Sequence, residues 1–385
     1  MIAQRLKDFS HRRRCTLLGV GPMSLNCVNA SIEIANENEI PLMLIASRRQ
    51  IDSEEFGGGY VNNWATQKYA DYVIDRDKKG KIILARDHGG PWQNEKEQKE
   101  NLSLRRAMES AKRSYKADIE AGFQMIHIDP SVDIHGELDV DEVLDRIYEL
   151  YEFCWRIAHN NGQDIIFEIG TEEQSGSTNT QDELEYTLNQ IGSFCKRNGL
   201  PFPTFVVIQT GTRVMETRNV GSFDSPLRVA DELPAEIQVP KMIEICNRHD
   251  IFMKEHNADY LSNESLKWHP RLGIHASNVA PEFGVCETRS LVHLLENRGL
   301  NSLAEKFLNF SFNSRKWEKW LLPNSQTSDR EKAIIAGHYV FAKNEVDEIK
   351  KEAQSMLKDL NVEEHLKNCV KASIMRYVHG FRLVR

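Results

Sequence analysis

The sequence predicts an α/β protein, a (β/α)8 barrel followed by a C-terminal α-helical extension. Three observations lead there: apolar runs of strand length return eight times, segments with helical spacing lie between them, and the strand rhythm stops after Leu291. Residues 1–300 are assigned to the barrel and 301–385 to the extension.

The first run is Cys15–Val20 (CTLLGV). The turn after it, Gly19-Val20-Gly21-Pro22, is too short for a dinucleotide fingerprint and ends in proline, which argues against an open doubly wound sheet. Pro41–Ser47, Lys81–Arg86, Gln124–Asp129, Asp164–Gly170, Thr204–Gln209, Asp250–Glu255 and Arg271–Ala276 follow as strands two to eight. Most are continuously apolar, as expected of parallel strands covered on both faces. Leu102–Ala121, Asp139–Asn160, Asp182–Asn198 and Ala235–Arg248 mix apolar and charged residues at i, i+4 spacing and read as the helices between them. In the tail, Phe312–Leu322 (FNSRKWEKWLL) reads as a helix with Trp317 and Trp320 on one face. Glu345–Leu360 and Glu363–Val378 read as two closing amphipathic helices.

Hydrophobic residues make up 40% and charged residues 28% of the 385, enough for a large core and too apolar for a disordered chain. The formal net charge of −8 leaves no basic surplus to neutralise a phosphate backbone, so nucleic acid is not expected as a partner. Seven scattered cysteines without a C-x-x-C pair read as reduced thiols. The opening MIAQRLKDFS is no apolar leader, and no uncharged apolar stretch reaches about 18 residues. A cytoplasmic protein without a membrane partner is the expectation.

Parallel barrels build their sites at the C-terminal strand ends, and polar residues collect there. Ser47 closes strand two, Asp87-His88 follows strand three, and His127 and Asp129 lie on strand four. Glu168 lies on strand five with Glu172 just beyond, and Gln209-Thr210 ends strand six. His256 follows strand seven, while His275 and Asn278 mark strand eight. Histidines and carboxylates converging from several strands suit a divalent ion, zinc above all, with one position left open. His88 and His256 are the first-choice ligands, and Glu168 or Glu172 supplies a further oxygen or a general base. His127 and Asp129, two apart, share a face and read as a supporting or acid/base pair. Gly58 and Gly59, within Phe56–Tyr60, let backbone amides approach a sugar or an anion.

The segments Leu44–Val73, Ile82–Trp92 (IILARDHGGPW), Ala121–Asp129 (AGFQMIHID), Ile169–Glu173 (IGTEE) and Glu255–Tyr260 (EHNADY) resemble the class II tagatose-1,6-bisphosphate aldolase Z-subunit family. The resemblance implies a TIM barrel and a zinc ion that polarises a ketose carbonyl and stabilises the enediolate left by C–C cleavage. Asp87-His88 matches the class II pair in which the Asp contacts substrate and moves a proton while the His binds metal. Two departures stand out: Gln209 occupies strand six where a metal histidine is usual, and Asn257–Tyr260 replaces a Gly-rich phosphate loop.

The expected assignment is therefore Asp87, Glu172 and Asp129 in catalysis and His88, His256 and Glu168 on the metal. Ser47, Gly58, Gly59, His127, Gln209, Thr210, His275 and Asn278 would face a sugar or sugar phosphate. The expected function is a metal-dependent enzyme of the class II aldolase type, with two alternatives: a retro-aldol ketose epimerase on the same site, and a non-catalytic accessory subunit of a separate aldolase. The partner would be a second copy of the chain or that aldolase subunit.

Overall fold

A computed structural model describes residues 1–170, 180–223 and 234–384. They contain a closed barrel of eight parallel strands. These are β1 (Leu17–Val20), β2 (Leu42–Ser47), β3 (Ile82–Gly89), β4 (Met125–Ile128), β5 (Ile166–Ile169), β6 (Phe205–Val207), β7 (Phe252–Glu255) and β8 (Ala276–Val279). Each strand pairs with its sequence neighbours, and β8 returns to β1 in the register Leu17↔Ala276 to Val20↔Val279. A short antiparallel ribbon, Val214–Met215 with Arg218–Asn219, lies in the β6–β7 connection. Among the described residues no helix is long and apolar enough to cross a membrane.

The intervening helices begin where local chemistry dictates. Asp139 and Thr180 each form a capping box, with Glu142 and Glu183, and so satisfy backbone donors at the starts of Val140–Asn160 and Gln181–Asn198.

Strand eight departs from expectation. The run Arg271–Ala276 begins inside the helix Asn263–Leu272, which ends at Gly273 with φ 92°, and the strand itself starts only at Ala276. Its letters, ASNV, are not an apolar run because both of its polar side chains have buried partners. Ser277 Oγ donates to Glu255 on the outer side (2.9 Å), and Asn278 Nδ2 reaches Asp87 (3.3 Å). The shift carries His275 to the N-terminal end of the barrel, opposite the mouth. There its ring stacks on Phe252 at 4.3 Å, and Nδ1 accepts the Met253 N–H. Burial, with His11 and Lys7 adding to it, pushes its pKa down to about 4. His275 is thus a structural residue of the barrel floor, and its expected place against substrate is corrected.

Two buried ion-pair systems brace the strand-two and strand-three connections. Arg86 leaves β3 outward and clamps Asp118 of the helix Leu104–Glu120 at 2.6 and 2.7 Å, while its remaining donors hold the Ala46 and Ile51 carbonyls. Both side chains are fully buried. Burial raises the Asp118 carboxyl against the pull of Arg86. Burial alone would weaken the Arg86 charge, but Asp118 more than offsets this and raises its pKa. The two-point contact favours the charged pair. Arg48, next to the mouth, is held likewise by Asp52 (3.0 Å) and Glu97 (2.6 Å).

The C-terminal residues are helical, but Phe312–Leu322 is not one helix. The helix Asn301–Asn313 ends there, Trp317 folds back to stack on Phe312 at 5.4 Å, and Glu318–Trp320 makes a single 3-10 turn. The two tryptophans therefore do not share a face. Trp320 instead donates its Nε1 proton to Tyr339 Oη (3.0 Å) at the barrel mouth. Leu291, Phe307, Val346, Ile349 and Leu366 form a second apolar core. The last helix, Val362–Gly380, adds Val370, Ile374 and Tyr377 to the barrel's own core.

Removing one partner of a buried pair leaves the other charge without compensation. Asp118→Ala is expected to lower the free energy of unfolding by about 3–5 kcal/mol, as read by denaturant titration. A loss below 1 kcal/mol would show that Arg86 finds another partner.

Candidate functional site

Strand periodicity aims Asp87, His127, Glu168, Lys254 and His256 into one end of the barrel. His127 and Glu168 are paired across β4 and β5, and Lys254 and His256 lie two apart at the end of β7. The β3–β4 ladder is irregular between Arg86 and Gly89, and His88 takes φ 43° there. That conformation is rare for a residue with a side chain, and it turns His88 toward the mouth beside Asp87.

Glu168 is fully buried and pinned from two sides. Its Oε2 meets Lys254 Nζ at 2.5 Å and its Oε1 meets His256 Nε2 at 2.9 Å. His127 Nδ1 accepts the His88 N–H at 3.1 Å and lies 3.6 Å from Asp87 and 3.8 Å from Glu168. His88 Nδ1 meets Asp129 Oδ2 at 2.7 Å, and Asp129 also accepts from Gln93 and Ser131. The rings of His88, His127 and His256 lie 5.0–5.4 Å apart between centroids. Gly170 makes room for this convergence, since a Cβ there would sit 2.7 Å from His127 Nε2.

The charges of these groups follow from those contacts. Burial alone would raise Asp87, but His88 and then His256 hold it well below the usual carboxylate range. Burial is likewise overcome at Asp129 by the His88 hydrogen bond and at Glu168 by the Lys254 charge, and each is pushed down to about 2. His88 would be lowered by burial, yet Asp87 and Asp129 raise it to about 9, while burial keeps His256 below its ordinary value.

The donor set fits a divalent ion. Asp87, His127, Glu168 and His256 each offer a ligand atom within 4.8 Å of the others, and His88, His127 and Asp129 form an overlapping group. His127 Nε2 is buried without a partner, and because Nδ1 accepts the His88 N–H it carries the ring proton, so it becomes a ligand only once that proton is lost. Imidazole nitrogens with carboxylate oxygens suit zinc among the common ions.

Above the cluster lies a cavity of about 810 Å³ lined by Asp87, His88, Asp129, His256, Ser47, Gly58, Gly59 and Asn278. His127, Glu168 and Lys254 do not line it. Of the expected substrate residues, Ser47 and Asn278 face the cavity. Gly58 and Gly59 face it too, but their N–H groups donate to Ser53 O and Trp64 O, so no free amide is offered and that expectation is corrected. Thr210 is turned to the outer side, where its hydroxyl donates to Glu255 Oε2 (2.6 Å), and Gln209 does not line the cavity. Glu172 lies outside the described residues.

Sequence reasoning missed Lys254, although a lone lysine inside the run IFMKE is the kind of signal that marks a buried charge needing a partner. It also missed the roof. Arg49, Lys319, Trp320 and Tyr339 line the cavity from above, the last three from the C-terminal segment. That segment is tied to three barrel loops, by Asn63 Nδ2 to Ala342 O (2.9 Å), Lys316 to Glu95 (3.1 Å) and Glu216 N–H to Trp320 O (2.6 Å).

Comparison with known proteins agrees with the resemblance read from the sequence. Residues 7–193 match the sequence model of the D-tagatose-1,6-bisphosphate aldolase subunit GatZ/KbaZ-like family. The chain is similar to the structure of a probable tagatose 6 phosphate kinase from Sinorhizobium meliloti, with 16% identity and a TM-score of 0.71 over 95% of this chain and 100% of that one. It is also similar to the fructuronate-tagaturonate epimerase UxaE from Cohnella laeviribosi, with 12% identity and a TM-score of 0.57 over 96% and 81% of the two chains. A putative fructose-1,6-biphosphate aldolase from Coccidioides immitis matches at 12% identity and a TM-score of 0.50 over 98% and 96%. At these identities the likeness is one of fold.

A protonated His88 must lose its proton to bind an ion. Zinc added to the metal-free protein at pH 7 is expected to release about one proton per ion from the wild type and measurably fewer from His88→Ala, as read in weak buffer. Because the pKa of His88 is raised in the fold, from 6.5 to about 9, its contribution to metal-free stability is complete below 6.5 and disappears as pH rises through 9. Identical proton release and pH–stability curves for wild type and variant would show that His88 is not the group responsible.

Proposed function

We propose that this chain is a metal-dependent carbohydrate enzyme that breaks or forms a C–C bond of a ketose or ketose phosphate next to its carbonyl, in the manner of class II aldolases. The observation that carries this reading is the buried Asp87–His127–Glu168–His256 cluster at the foot of a cavity wide enough for a sugar.

His88, His127, His256 and the Glu168 carboxylate are the residues that would hold the ion, with Asp87 beside it. When bound, a divalent ion supplies Lewis-acid polarisation of a ketose carbonyl. The remaining chemistry belongs to the chain. Asp87 lines the cavity, and its ionised carboxylate accepts a hydrogen bond from the substrate hydroxyl on the carbon beyond the bond to be broken. As the C–C bond opens, the hydroxyl becomes an aldehyde and its proton passes to Asp87, while the bonding electrons move onto the carbonyl fragment. Asp129 holds the His88 ring in place through the 2.7 Å contact. Lys254 acts beneath the reacting groups: it does not line the cavity, and it fixes Glu168 as a charged anchor rather than serving as a Schiff-base nucleophile.

The same steps run backwards reseal the bond. If the aldehyde turns over first, the product is an epimer, and this second reading is favoured by the fold likeness to an enzyme described as a fructuronate-tagaturonate epimerase. The subunit description of the matching family points instead to a chain that supports a separate aldolase.

The test is to incubate the zinc-loaded full chain with hexuloses, hexulose phosphates and hexulosonates and to follow the products by NMR. Free triose marks cleavage, and an epimer without triose marks retro-aldol epimerisation. Asp87→Asn is expected to lower kcat about 10²–10⁴-fold while the fold is retained. Turnover that appears only after addition of a class II aldolase subunit, and that is indifferent to Asp87→Asn, would overturn the enzymatic reading in favour of the accessory one.

A further inference from the structure

Barrels of this class commonly hold a substrate phosphate beyond strands seven and eight, at the N-terminus of a nearby helix. Here that place is already filled. The helix Pro281–Asn297 follows β8, and the Ala280 and Glu282 N–H groups at its start both donate to Asp259 Oδ1, at 3.0 and 2.8 Å. Glu282 lies beside it, held by Arg376 (2.9 Å) and the Tyr377 hydroxyl. Asp259 alone takes these two N–H groups, with the Glu282 carboxylate beside it, so a phosphate brought there would find those donors already taken.

On the other side of the cavity the balance is reversed. Arg49, just after β2, has a buried Nε without a hydrogen-bond partner. Lys319, in the Glu318–Trp320 turn of the C-terminal segment, lies against the faces of Trp320 (4.8 Å) and Tyr339 (5.3 Å). Neither cation has a carboxylate partner among the described residues, whereas neighbouring Lys316 is neutralised by Glu95. Lys319 lines the cavity at its exposed rim. Desolvation among the neighbouring rings, and then the charge of Arg49, pushes its pKa down to about 7 against the pull of Glu95. Glu95 is the nearby carboxylate, but its direct contact is with Lys316; two like charges with no ion-pair partner of their own are what an anionic ligand group would relieve.

We propose that the substrate carries a single anionic group, a phosphate or a carboxylate at the end remote from the reacting carbonyl, bound between Arg49 and Lys319. The pocket for a second phosphate is closed by Asp259. The proposal rests on the ketose reading above and deepens it: the C-terminal segment completes the substrate site instead of only packing on the barrel.

The experiment reads binding to the metal-free full chain, so that it does not depend on turnover. Fructose, fructose 1-phosphate, fructose 6-phosphate, fructose 1,6-bisphosphate and fructuronate are titrated by calorimetry into wild type, Arg49→Met and Lys319→Met. The 6-phosphate or the 6-carboxylate is expected to bind at least tenfold tighter than fructose or the 1-phosphate, and the tighter of the two identifies the anion. The bisphosphate is expected to bind no better than the 6-phosphate. Each substitution is expected to weaken the anionic probe about tenfold or more, with binding of fructose and the thermal unfolding midpoint unchanged. Wild-type affinity for the anionic probes in both variants, or tenfold tighter binding of the bisphosphate than of the 6-phosphate, would overturn the proposal. Turnover of a ketose by a chain that shows no such anion preference would sink this inference alone. Anion binding through Arg49 and Lys319 without turnover would sink the reading of the reaction alone.

Discussion

A carboxylate buried at the foot of a barrel is stable only if charge and hydrogen-bond donors meet it there, and Glu168 has both: the Lys254 ammonium at 2.5 Å and the His256 ring at 2.9 Å. Everything above depends on this anchor. With Glu168 fixed, His256 has one orientation. His127, paired with Glu168 across the β4–β5 ladder, is then confined between Glu168 and the His88 N–H. Asp87 in turn lies within reach of all three imidazoles. A site with so many mutually bonded ionisable groups in so dry a place has little freedom to rearrange.

The same economy of charge separates structural from functional residues elsewhere in the chain. Arg86 with Asp118, Arg48 with Asp52 and Glu97, and His269 with Glu255 are all buried and all paired, and they hold loops and helices against the barrel. Asp259 spends its carboxylate on the start of a helix. At the cavity roof neither Arg49 nor Lys319 has an ion-pair partner among the described residues. The contrast is informative because it occurs within one molecule, where neighbouring lysines at the same rim have found partners.

Much of the site was legible because strand ends in a parallel barrel converge. Once the runs containing Asp87, His127, Glu168 and Glu255 are read as strands, the polar residues at their ends must lie near one another. Three features were not legible. Ala276–Val279 is a strand whose polar side chains are satisfied by β7 and β3, so no apolar pattern announced it, and His275 was placed at the wrong end of the barrel. The Gly57–Gly59 amides are consumed within their own loop, which depends on where Ser53 and Trp64 turn. Thr210 faces outward because Glu255, on the next strand, needs a donor there.

The amino-acid sequence by itself determined the architecture and the inventory of reactive groups, because strand and helix periodicity and the order of the segments are local properties of the chain. Only the tertiary structure decided which of those groups meet. The pairing of Lys254 with Glu168 spans 86 residues in sequence, and Lys319 comes to lie with Arg49 only because the C-terminal segment returns over the mouth and is tied to its loops. Charge compensation is a property of space, and no spacing along the chain encodes which cation is left without a partner.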